Sequence, residues 1–122
     1  MRIAYVSGPY RADTTEGIEA NIQRAREVAK SLWRMGYAVI CPHSNTVHFS
    51  DDDCPPWRTK GGNWNYIQGD LEMISRFDPN RDILVMIQDW RKSAGAIEER
   101  DFAISRGIAV YEWPDVPEVE RE

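Results

Sequence analysis

A chain of 122 residues, 42% hydrophobic and 29% charged, has room for one globular core and too little for two. Its formal net charge of -5 argues against a long nucleic acid as partner, although one arginine or one helix N-terminus suffices to hold a mononucleotide. Cys41 and Cys54 form no CxxC pair, no apolar stretch approaches membrane length, and no signal-peptide pattern is visible, so a cytoplasmic protein without membrane association is expected. Residues 2–7 form an apolar strand that Gly8-Pro9 breaks. Such a turn lets backbone approach a ligand, and Tyr10 and Arg11 set an aromatic face and a cation beside it. Residues 16–35 read as a helix, because Ile18, Ile22, Ala25, Ala29 and Leu32 recur at helical spacing and Gly36 is a natural stop. Asn21 is expected near the helix start, where it meets the Gly8 loop. A second buried strand over 37–41 completes a parallel strand–helix–strand unit. His43 and Asn45 follow at its carboxyl end, the edge where open α/β sheets bind ligands.

Residues 47–63 are the least regular stretch, with Trp57 and Trp64 flanking Gly61-Gly62. Two readings fit: a lid that stacks on a base, or a surface excursion whose tryptophans pack locally or on another subunit. His43, His48, Cys54 and the three Asp residues at 51–53 match no zinc spacing and lack the alternation of a calcium loop, so no metal is expected. The spacing predicts a second helix over 64–77, with Ile67, Leu71 and Ile74 as its buried stripe. Asp70 lies beside that stripe, as either a solvated edge acid or a site carboxylate with a perturbed pKa.

A third strand over 82–88 runs into a turn that holds Ser93 and Gly95, then a helix that Gly107 closes. The free N–H groups of that helix start, with the Ser93 hydroxyl, make an anion site. Glu99 lies one to two turns further on, facing the crevice or paired on the surface with Arg100 or Arg106. A last strand covers 108–113, and the acidic tail 114–122 carries no core pattern and is expected to fray. The order predicts a three-layer α/β domain over 1–113, Rossmann-like or flavodoxin-like, with a mostly parallel sheet of four to five strands flanked by helices.

Three stretches together carry a resemblance: Tyr5-Val6-Ser7-Gly8-Pro9-Tyr10, Gly69-Asp70-Leu71, and Ser93-x-Gly95-x-x-x-Glu99-x-x-x-Ala103. They resemble the nucleoside 2-deoxyribosyltransferase-like superfamily over nearly the whole domain, nearer its nucleoside 5'-monophosphate N-glycosidase branch. The resemblance implies Glu99, not Glu98, as the nucleophile at the anomeric carbon, and Asp70 as a site acid. Taken with the reading of the loops above, it makes Tyr5, Ser7, Gly8, Pro9, Tyr10, Arg11, Asn21, His43, Asn45, Ser93, Gly95 and Ala96 the expected substrate contacts, while the lid reading alone sets Trp57 or Trp64 over the base. It also implies no cofactor, and a homo-oligomer of two or more subunits. Transferases of the superfamily usually carry Asp where Ser93 stands. A hydroxyl with helix N–H groups suits a 5'-phosphate that a second carboxylate repels. The expected activity is hydrolysis, or transfer, of the N-glycosidic bond of a nucleoside 5'-monophosphate. The alternative is a non-catalytic nucleotide-binding or sensing module of the same fold.

Overall fold

In β1 (Ile3–Ser7) the side chains alternate between two faces, so Tyr5 and Ser7 share one and Ala4 and Val6 the other. A computed structural model describes residues 1–45 and 66–119, and in it this alternation divides the core in two. Ala4 and Val6 pack under α1 (Thr15–Met35) with Ala25, Val28, Ala29 and Leu32. Tyr5 packs on the opposite face with Ile74, Phe77, Leu84, Met86, Ala96 and Ala103. The helix α1 starts where the Thr14 hydroxyl accepts the Gly17 N–H at 3.0 Å. It stops at Gly36, whose φ of 102° is left-handed and whose N–H closes on the Leu32 and Trp33 carbonyls.

β2 (Ala38–Ile40) is followed by a single helical turn, α2 (Pro42–Asn45), which carries His43 and Asn45. The helix α3 (Ile67–Ser75) then precedes β3 (Ile83–Met86). A 3-10 turn at Trp90–Lys92 leads into α4 (Ala94–Ser105), and β4 (Ala109–Glu112) ends the sheet. The four strands are all parallel, in the order β2-β1-β3-β4, with Tyr5 opposite Ile40 on one side and Leu84 on the other. This is the expected three-layer fold, with four strands among the described residues. None of the helices among the described residues is long and apolar enough to cross a membrane.

The tail departs from expectation. Residues 114–119 do not fray: Val116 and Val119 pack against the α1 side of the core, and the Tyr37 hydroxyl donates to the Pro117 carbonyl at 2.7 Å. Two valines spaced among prolines and acids show no period, so the sequence gives no packing signal there. Tyr37→Phe is expected to cost about 1 kcal/mol, read as a lower denaturant midpoint; an unchanged midpoint would mean that the hydrogen bond to Pro117 contributes nothing.

Candidate active site

Chain leaving β1 passes to β2 on one side, and chain leaving β3 passes to β4 on the other, so a crevice opens at the carboxyl ends between β1 and β3. Tyr5 and Ser7 point toward it from β1, both essentially without solvent exposure. Glu99 comes inward from α4 and is only 6% exposed. The Tyr5 phenol donates to Glu99 Oε2, and Ser7 Oγ donates to Oε1 at 2.9 Å. Both carboxylate oxygens are therefore held. The surface alternative for Glu99 does not apply: Arg100 lies near Asp101 and over the Trp90 ring, while Arg106 donates to the Ser75 carbonyl.

Burying a carboxylate disfavours its charge more than two hydrogen bonds restore it. Burial, with a smaller contribution from the Asp70 charge, raises the Glu99 pKa to about 7 against the opposing hydrogen bonds from Tyr5 and Ser7. Half-buried on α3, Asp70 is raised by burial to about 6, with the Tyr5 hydroxyl pulling the other way. Tyr5 itself is pushed well above the usual phenol range, first by burial and then by the charges of Glu99 and Asp70. It stays a neutral donor between two acids. Phe77 meets its ring edge-on at 6.3 Å and fixes its direction. Two acids coupled through one phenol, near neutral pH, are equipped to act as nucleophile and proton donor.

Ser93 caps α4, its Oγ accepting the Ala96 N–H at 3.1 Å, and the hydroxyl proton remains available to a ligand. The amides of Ala94 and Gly95 precede the first residue that can bond within the helix. Among the described residues, a methyl group placed on Gly95 would meet Ile67 and Ser93 at 3.8 and 4.0 Å, which are ordinary contact distances. Gly8 is the reverse. A Cβ there would lie 2.2 Å from Ile87 Cγ1, so close packing between strand ends explains this glycine rather than ligand approach.

His43 and Asn21 are both buried, and Asn21 meets the loop after β1 as expected. His43 is 5% exposed, and its Nε2 donates to the Pro9 carbonyl at 2.9 Å, which staples α2 to the loop after β1. Burial lowers its pKa and keeps it neutral. Asn21 is 7% exposed and donates Nδ2 to the carbonyls of Tyr10 and Arg11 at 3.1 and 3.4 Å. Tyr10 stands edge-on to His43 at 5.9 Å and, with Arg11, remains exposed. Asn45 borders a groove of about 300 Å³ with Arg26, Trp33 and Cys41, whose lining includes neither acid. Trp57, Trp64, His48, Cys54 and 51–53 lie outside the described residues. The polar pair Tyr5 and Ser7, two apart in an apolar strand, is the signal that marks partners for Glu99. Arg24 and Asp89, which connect two loops of the crevice, carry no such signal.

No curated protein matches the sequence. A family model described as a domain of unknown function (DUF7768) matches residues 2–113, from β1 through β4, and so includes both acids and Ser93. By the extent of that match, the chain belongs to the DUF7768 family.

Proposed function

We propose that the protein cleaves the N-glycosidic bond of a nucleoside 5'-monophosphate. The observation that carries this reading is the Glu99 carboxylate, buried at the β1/β3 switch point, held through both oxygens, with a second acid beside its tyrosine partner. Ionised Glu99 attacks C1', the C1'–N bond breaks, and its electron pair leaves with the base. The base nitrogen takes the proton from Asp70. Water, deprotonated by Asp70, then attacks C1' and releases the sugar phosphate from Glu99. Ser93 and the first amides of α4 hold the phosphate, which makes a monophosphate the preferred substrate over a nucleoside. Transfer to a second base is the same chemistry with another acceptor. This reading agrees with the resemblance to the nucleoside 2-deoxyribosyltransferase-like superfamily, and with it go a cytoplasmic location and a homo-oligomeric state.

Incubation with a panel of ribo- and deoxyribonucleoside monophosphates, with free base followed by chromatography, tests it. Base from at least one member is expected. A nucleotide that raises the melting temperature while no member loses its base would replace the enzyme with a binding module. Ser93→Asp is expected to raise KM for the monophosphate by about tenfold or more and to change nucleoside cleavage little, since like charges across a short gap oppose binding. Equal loss on both substrates would remove Ser93 from the phosphate.

A further inference from the structure

We infer that Asn21, Arg24 and Asp89 form a strut that sets the spacing between the two loops framing the crevice, with Arg24 as a positioning residue for the substrate. The substrate part of this inference rests on the proposed glycosidase reading. On one side lies the loop after β1, whose Tyr10 and Arg11 carbonyls both accept from Asn21 Nδ2. On the other lies the turn after β3, which starts at Asp89 and delivers Ser93 to the head of α4. Arg24 joins them. One end of its guanidinium donates to Asn21 Oδ1 at 2.6 Å, and the other stands 3.4 Å from Asp89 Oδ2.

Asn21 is buried, so its side chain is confined and its amide presents a fixed donor and a fixed acceptor. A planar guanidinium joins two acceptors in one rigid fork, which an ammonium does not reproduce. Asp89 holds a left-handed backbone at φ 66°, a conformation that Asp tolerates better than most side chains, and this turns its carboxylate back toward α1. Lys92 lies on its other oxygen at 3.7 Å. The Arg24–Asp89 pair is about two-fifths exposed at both ends, where ion pairs add little stability. Its effect therefore falls on loop geometry.

The test compares Arg24→Met, which keeps the stem, with Arg24→Lys and with Asp89→Asn, which keeps an acceptor and the left-handed turn. Arg24→Met is expected to shift backbone amide signals both at 10–11 and at 89–96, with the melting midpoint nearly unchanged. It is expected to raise KM for the cleaved monophosphate by about tenfold with kcat within about twofold, the signature of misplaced binding groups. Asp89→Asn retains most of the wild-type KM, and Arg24→Lys falls between. Shifts confined to α1, or a fall in kcat at constant KM, would overturn the strut. If wild-type protein cleaves no monophosphate, the glycosidase reading fails alone, and the amide signals decide the strut. Should Arg24→Met not fold, Asp89→Gly removes the carboxylate while keeping the backbone and carries the same test.

Discussion

Glu99→Gln is expected to reduce base release by about 10⁴-fold or more while nucleotide binding stays near the wild-type value. Glutamine has the same length and fills the same pocket between Tyr5 and Ser7, so the buried site keeps its packing. It loses the negative charge and the nucleophilic oxygen. Because the contacts proposed for phosphate come from Ser93 and the head of α4, a binding assay on this variant separates holding the substrate from cleaving it. Full activity in Glu99→Gln would remove Glu99 as nucleophile; loss of binding together with activity would point to a collapsed site.

The same substitution changes how stability depends on pH. Glu99 rises from an ordinary 4.5 to about 7 on folding, chiefly through burial. Between those values the unfolded chain has released a proton that the folded protein still holds, so stability falls as pH rises. The contribution is fully present below about 4.5 and is lost as pH rises through about 7. Its size, from the pKa difference, is about 3 kcal/mol. Asp70, raised to about 6, acts with the same sign over a lower range. Denaturant unfolding at pH 5 and pH 8 should show wild type losing stability relative to Glu99→Gln, with the variant the more stable at pH 8. Parallel behaviour of the two proteins would mean that Glu99 is not desolvated. The proposed mechanism needs Glu99 ionised and Asp70 protonated, so kcat/KM for base release is expected to peak between about pH 6 and 7 and to fall on both sides.

Much of this arrangement is legible in the sequence where a period or a chain position carries it. The helical spacing of Ile22, Ala25, Ala29 and Leu32 specifies the buried face of α1. Alternation along β1 places Tyr5 and Ser7 on one face. Ser93 marks the start of α4, but helix geometry alone leaves Glu99 facing the crevice or paired on the surface, and it is the resemblance that singles it out from Glu98. What is not legible depends on contacts across long stretches of chain. That His43 bonds the Pro9 carbonyl follows from how α2 sits against the loop after β1. Gly8 looks like a ligand-approach glycine until Ile87, far along the chain, is seen to occupy the space of its missing side chain. Tyr37 reaches Pro117 across most of the chain, and neither residue carries a pattern that announces the other. Arg24 is a polar residue on a helix, indistinguishable from its neighbours until Asp89 turns back toward it.

The covalent intermediate on Glu99 tests the account most directly. A nucleoside 5'-monophosphate with fluorine at C2' in the arabino configuration slows both displacement steps, because fluorine destabilises the positive charge that develops at C1'. After incubation with this compound, intact-mass spectrometry is expected to show an increment of one fluorinated sugar phosphate, carried on the peptide that contains Glu99 and missing from Glu99→Gln. Base released with no increment on wild-type protein, or an equal increment on the glutamine variant, would contradict Glu99 as the nucleophile.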